Sequence, residues 1–578
     1  MNKSKFLLNF ICVFCPLFMI LIFGPSETFF ANIADFSFLW QDFGVLAVIV
    51  CIVVSGIVAI LLNRAKESVS VTVRTICSYL SVAMYLQALL LNKNLSSMGT
   101  VSDGVFIPPF TGTCSLLLWI VLGYVFYRLF IKKIPSEDET VVKLCNNGPA
   151  YLSVFLFLIQ AVALCSLMLT ASERAYSHPK NMSFLMGTAQ YEVSEDDNII
   201  IMIMDMFSSS DWDMLISEYP EYRDELSDFT FYDDCNAIYG STYPSVAHMV
   251  TGVEVNPEIS TNEWHKEIWE NENTRDFYAQ LKNKGYSTKL FVQDVNYIYG
   301  DNNAVELSDM IDNVTNSDVK YETNSCTALL AMVNMSMYKY SMTLLKPLFY
   351  EDRLSDKTVT VDYGGVCFVD HDNGAFNSHL LEEGLSIGDS EKSFIVQHLR
   401  GMHNYVTDAE GNAVYASTRI DNARGCMKVL DNYFSELKRL GVYDNSTIIV
   451  TADHCHVWED DDVIFFIKGR NETHGEMQVN SAPISHCDLL PTVASAAGIS
   501  AKFDGKPVFE ASEDDNVTRM YMPAVMDPEF PVVDYYQKTK KGTNNAYYKY
   551  FYTGGRDVLN TIREREPDEI IPMTDSFY

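Results

Sequence analysis

Five apolar stretches follow one another in the first 170 residues, each close to the length needed to cross a bilayer. A spanning helix takes roughly 20 residues. The stretches are 6–23, 43–62, 76–91, 113–131 and 150–169, the third being short but extendable back to Val71. Few charges interrupt them, and core helices of a soluble domain do not account for five such runs in succession. Nor does a cleaved signal peptide account for the first. It follows Lys3 and Lys5, but no small-residue cleavage site comes after it and four more spans do.

Basic residues orient these spans, because Lys and Arg concentrate on the cytoplasmic side. Lys3 and Lys5 precede the first, and 25–42 contains no Lys or Arg. Arg64, Lys66 and Arg74 lie between the second and third, and only Lys93 between the third and fourth. Arg128, Lys132, Lys133 and Lys143 lie at the end of the fourth and before the fifth. The alternation predicts a cytoplasmic N-terminus and an extracytoplasmic chain after residue 170, anchored in the cell membrane. The charge balance agrees with a soluble outer part: 42 Lys and Arg stand against 75 Asp and Glu, and most carboxylates follow residue 170. A chain with net charge −33 also repels nucleic acid, whose binding requires basic groups on the phosphates.

The 13 cysteines are scattered, and no CxxC or tight framework selects a disulfide. Cys455 and Cys487 each follow a His, which leaves buried thiols and metal ligation both open.

Beyond a mostly polar segment at 171–197, read as a linker or elbow, strands and helices alternate. The run 198–204 is almost unbroken apolar, as in a strand buried on both faces. Further strands are expected at 287–292, 393–396, 447–451 and 463–467, and a helix at 274–284. A second helix at 421–440 carries Ala423, Met427, Leu430, Phe434 and Leu437 at helical spacing. This alternation predicts an α/β domain with a largely parallel sheet, which places its site at the carboxyl ends of strands. Candidate ligands stand at those ends: Asp205 after 199–204, His398 after 394–397, and Asp453 with His454 after 448–452. Asp and His together suit a divalent metal such as Zn or Mn. Each alone also suits a helix cap or turn, so it is the set that points to a site. Thr242 lies in Gly240-Ser241-Thr242-Tyr243-Pro244-Ser245, and its hydroxyl needs activation to act as a nucleophile. Two acidic runs read as solvated or turn segments: Glu459–Asp462, and Asp370-His371-Asp372-Asn373-Gly374, which lacks the spacing of an EF-hand.

These residues, in this order, resemble the alkaline phosphatase superfamily in its sulfatase-like branch. Sulfatases carry C/S-x-P-S-R, four residues, then T-G. Here Thr242, Pro244, Ser245 and Val246 are followed after four residues by Thr251-Gly252. Thr replaces the residue that becomes formylglycine, and Val246 replaces the Arg; both departures count against a sulfatase. His398-Leu399-Arg400-Gly401-Met402-His403 resembles the H-x-x-G-x-H segment of the family, and 483–492 the segment that closes its core. Five spans, an elbow and an outward domain are the layout of lipoteichoic acid synthases and resemble phosphoethanolamine transferases.

The resemblance implies a transmembrane domain at 1–170, the elbow at 171–197 and an extracytoplasmic catalytic domain at 198–578 with its core at 198–510. It implies one divalent metal ion (Mn, Zn or Mg) held by Asp205, Thr242, Asp453 and His454, with Thr242 as the nucleophile. His403 and His486 would bind substrate or a second metal, while His398, His456 and His474 read as bystanders. The implied activity moves a phosphoglycerol or phosphoethanolamine head group from a phospholipid donor to a cell-surface glycan or polymer through a phospho-Thr intermediate. The alternatives are an extracytoplasmic hydrolase, as a phosphodiesterase or sulfatase, and a membrane protein with a degenerate domain.

Overall fold

The computed structural model describes residues 3–517 apart from 34–35, 93–108, 133–137, 180, 257–258, 260, 300–303, 351–357 and 457–461, and beyond these 519–521, 534–538 and 549–550. Most of the acidic run Glu459–Asp462 lies outside the described residues. The chain forms two compact units. One comprises Met1–Lys180 and Val319–Tyr363, the other Asn181–Asp318 and Gly364–Tyr578.

The first unit contains five helices long and apolar enough to cross a membrane: α1 (Lys3–Ala31), α2 (Trp40–Arg64), α3 (Glu67–Leu90), α4 (Pro109–Ile131) and α5 (Thr140–Thr170). On α2, Val45, Ile49, Ile52, Val53, Ile57 and Ile60 are exposed, an apolar stripe of the kind a lipid surface covers. The third stretch looked short because α3 is the polar, inward helix. It begins at Glu67, and Ser70, Arg74, Thr75, Ser78, Ser81 and Gln87 are all buried. Arg74 is satisfied by Glu67 at 2.5 Å and the Asn146 carbonyl at 3.0 Å.

The units do not divide at one chain position. The segment expected as an elbow already supplies strands to the second unit: Asn181–Leu185 pairs antiparallel with Val314–Asp318, and Glu192–Val193 pairs parallel with Ser386–Ile387. Conversely, 319–363 leaves the second unit and packs in the first. There the hairpin Lys320–Thr323 with Val359–Asp362 leads into the helix Ser325–Tyr340 and the short helix Thr343–Phe349.

The second unit is built on a seven-stranded sheet. In chain order its strands are β1 (Asp197–Met204), β2 (Thr230–Tyr232), β3 (Tyr286–Phe291), β4 (Lys392–Leu399), β5 (Ser446–Thr451), β6 (Phe465–Lys468) and β7 (Gln478–Asn480). Their spatial order is β7-β2-β6-β5-β1-β4-β3. The core β5-β1-β4-β3 is parallel, and β6 turns antiparallel against β5 and β2. All eight residues of β1 are buried, which its Ile-rich run dictates for a strand covered on both faces. The helix Arg419–Leu440 buries Ala423, Met427, Leu430, Phe434 and Leu437. Thr418 caps it, accepting the Asp421 amide, an interaction of about 1 kcal/mol.

Candidate active site

Register assembles the site. β5 and β4 flank β1, with Thr451 and His398 both opposite Ile203. Three strand tips therefore end side by side, carrying Asp205, His398, and Asp453 with His454. The ligand atoms of Asp205, Asp453 and His454 all lie within 4.8 Å of one another, and all three residues are buried.

Backbone conformation fixes their aim. Met206, directly after Asp205, has φ 60°, a strained value for a residue with a Cβ. This turn brings the Met206 amide to Asp453 Oδ1 at 3.3 Å, which also accepts the His454 amide at 2.9 Å. Asp453 Oδ2 and Asp205 Oδ1 remain without a hydrogen-bond partner. His454 Nδ1 donates to the Cys455 carbonyl at 2.8 Å, so the lone pair of Nε2 faces the cluster. Cys455 thus contributes its carbonyl. The Asp205 main chain is gripped by the next segment: its amide donates to Leu399 O at 3.1 Å, and its carbonyl accepts from Met402 at 2.6 Å. Gly401, at φ 53°, permits that approach, because a Cβ there would lie 2.4 Å from Asp205 N and O. This is the physical reason for Gly in His398-Leu399-Arg400-Gly401-Met402-His403.

Thr242 is the first residue of the helix Thr242–Thr251. Pro244 is tolerated in that first turn, where its missing N–H has no intrahelical acceptor. Gly252 ends the helix at φ 69°, against Phe503, which accounts for the Thr251-Gly252 pair. Thr242 Oγ1 lies 3.3 Å from His454 Nε2. The hydroxyl also interacts with both carboxylates, favouring their ionised forms.

Burial and the neighbouring Asp453 push Asp205 well above the usual carboxylate range. Burial also opposes charge on Asp453, but His454 and His398, when protonated, outweigh it and hold that carboxyl low. Two buried carboxylates with open oxygens and an aligned imidazole lone pair fit a divalent cation. The oxygen–nitrogen donor set suits Zn, Mn or Mg.

His398, expected as a bystander, lies beside the two carboxylates. Its Nε2 lies 3.4 Å from Asp453 Oδ2 and 3.9 Å from Asp205 Oδ2. Its place at the tip of the strand next to β1 was the available signal. His403 is exposed at the rim, with its pKa lowered by partial burial and by His454. His486 is buried. Burial, then His248, lowers it to about 3, so it faces Asp453 and His454 as a neutral imidazole. Arg400 also acts on the site. Its charge favours ionised Asp205, and its side chain is held 3.1 Å from His371 Nε2 and 3.4 Å from Asp372 Oδ2. Asp372 itself caps the helix Asn373–Glu382, so the Asp370–Gly374 run is a turn and cap. His474 lies apart, bonded to Glu472 at 2.7 Å, and His456 faces Asp211 at 3.6 Å.

The sulfatase family profile matches residues 197–499, more than half of the chain. The chain belongs to the sulfatase family. Solved structures are similar to this sulfatase-family chain at low identity. The putative sulfatase yidJ from Bacteroides fragilis is 10% identical with TM-score 0.38, covering 64% of this chain and 88% of its own. A phosphonate monoester hydrolase from Silicibacter pomeroyi is 14% identical with TM-score 0.36, covering 62% and 87%. The lipoteichoic acid synthase LtaP from Listeria monocytogenes is 10% identical with TM-score 0.32, covering 66% and 89%. No curated protein matches the sequence. The family establishes a sulfatase-like hydrolase or transferase, of a superfamily that uses metal ions.

Proposed function

We propose that this chain is a metal-dependent membrane phosphotransferase that moves a phosphoglycerol or phosphoethanolamine head group from a phospholipid to a cell-surface glycan or polymer. One observation carries the reading. A hydroxyl, Thr242 Oγ1, sits within the Asp205–Asp453–His454 cluster at the first turn of a helix, whose free amides favour an anion. Asp205, Asp453, His454 and Thr242 would hold the metal. When bound, the ion lowers the pKa of the hydroxyl and offsets the charge of the phosphodiester. Thr242 Oγ1 bonds to phosphorus, the bond to the diacylglycerol oxygen breaks, and that oxygen takes up the proton Thr242 gave up. An acceptor hydroxyl then bonds to phosphorus, its proton returning to Thr242 as that oxygen leaves. His403 and His486 would contact the phosphoryl or leaving oxygens, and Arg400, whose charge favours ionised Asp205, would supply the cation that Val246 does not.

The five spans support a lipid donor, since they hold the enzyme at its substrate's surface. The Lys and Arg alternation supports an extracytoplasmic catalytic domain. Hydrolysis is the second reading: water replaces the acceptor in the same second step. Incubating the full-length protein with head-group-labelled phospholipids and a glycan acceptor separates the two. Label on the acceptor supports transfer, label only as free head-group phosphate supports hydrolysis, and label retained on lipid sinks both.

A further inference from the structure

The insert 319–363 interrupts the catalytic sequence, yet hydrogen bonds and an ion pair tie it to one end of the spans. Lys339 Nζ reaches Glu27 of α1 at 2.9 Å, and Tyr340 Oη donates to the same carboxylate at 2.5 Å. Thr323 Oγ1 bonds Asp42, in the first turn of α2, at 2.9 Å. Gln87, near the end of α3, donates to Thr343 Oγ1 at 3.1 Å, and Ser115, near the start of α4, accepts the Thr343 amide at 3.0 Å. Successive spans run in opposite directions, so the end of α1, the start of α2, the end of α3 and the start of α4 share one membrane face. The fifth span ends on that face too.

The burial of the insert is inverted relative to a water-facing segment. Ser336, Ser341, Thr343 and Lys346 are buried, and the Lys346 ammonium caps the long insert helix by donating to the carbonyls of Tyr338 and Lys339. Leu330 and Leu348 are 70% and 73% exposed, and Leu344 and Leu345 are also exposed. At the same end of the spans, exposed Leu89 and Leu90 end α3 and exposed Phe110 begins α4. Polar groups turned inward and leucines turned outward, at the end of the spans that also carries Leu89, Leu90 and Phe110, suit a hydrocarbon boundary.

We propose that 325–349 is an interfacial membrane segment whose Leu330, Leu344, Leu345 and Leu348 insert among the acyl chains of the leaflet where α5 ends. The catalytic sequence thereby enters the lipid a second time, independently of which reaction it performs.

The test uses full-length protein in vesicles of phosphatidylcholine and phosphatidylglycerol with brominated acyl chains. Leu348→Trp places a reporter in the proposed contact, Leu330→Trp repeats it on the long helix, and Tyr415→Trp, at a fully exposed position of the second unit, is the aqueous control. Emission is read as the difference from the unsubstituted protein. The added emission at 348 and 330 should be largely lost to brominated lipid and resist iodide, with the reverse at 415. Iodide quenching at 348 and 330 equal to that at 415, without loss to brominated lipid, overturns the proposal. Shielding from both quenchers overturns it too, by showing that protein covers the leucines.

Discussion

At the residue scale, Thr242 concentrates the chemistry. In the proposed reaction its oxygen is the atom that bonds to phosphorus, whereas Asp205, Asp453 and His454 can hold a cation without it. Thr242→Ala should abolish turnover while the purified protein retains most of its metal by elemental analysis. Thr242→Ser, which keeps the hydroxyl, should retain measurable activity. Turnover at the unsubstituted rate in the Ala variant would show that water attacks directly. Thr242→Cys should release no sulfate from aryl sulfates, because maturation to formylglycine in the family reads an Arg where this chain has Val246.

At the element scale, the helix Thr261–Glu270 carries His265, fully buried with neither ring nitrogen hydrogen-bonded and with its ring tilted against those of Tyr243 and Trp264. Burial lowers it to about 3. In the unfolded chain the same imidazole titrates near pH 6.5. Between these values the unfolded state binds a proton that the folded state refuses. Stability from this group is therefore complete above about pH 6.5 and lost as pH falls toward 3, by up to about 1.4 kcal/mol per pH unit. Thermal unfolding of the full chain in detergent should show His265→Phe with a shallower acid dependence than the parent between pH 6 and 4. Parallel curves would show that the ring is not neutral in the folded protein. His248, buried and lowered to about 4, adds the same sign of dependence from the helix that carries Thr242.

At the scale of the whole molecule, the metal and the membrane set the expectations. Asp205 and Asp453 bring two carboxylates into one buried cluster, so a bound cation stabilises the folded state by mass action, about 2.7 kcal/mol at a hundredfold excess over Kd. Chelation should lower the thermal midpoint of the catalytic unit, and Mn, Zn or Mg should restore it. An unchanged midpoint after verified metal removal would contradict the assignment. The topology makes a separate prediction: a cysteine placed at Asn445 should react with impermeant reagents added outside intact cells. Protection there, with labelling only after lysis, would reverse the proposed orientation.

The sequence by itself determined the features that depend on local pattern. Uninterrupted apolar length marks a span because a helix in lipid must satisfy its own backbone, and an Ile-rich run such as 199–203 marks a strand covered on both faces. Motif order placed Thr242, Asp205, Asp453 and His454 in one frame, because T-x-P and T-G report local helix geometry at Pro244 and Gly252. Only the tertiary structure decided what depends on register and on the far side of a contact. His398 comes to lie beside the cluster because β4 pairs with β1, a fact absent from the residues around it. The third span looked short because its polar face is satisfied by other helices, and hydropathy averages over faces. The segment 319–363 read as catalytic by position in the chain, yet its leucines and buried Lys346 acquire meaning only beside Gln87 and Ser115. Sequence separation carries no information about which surface a segment will cover.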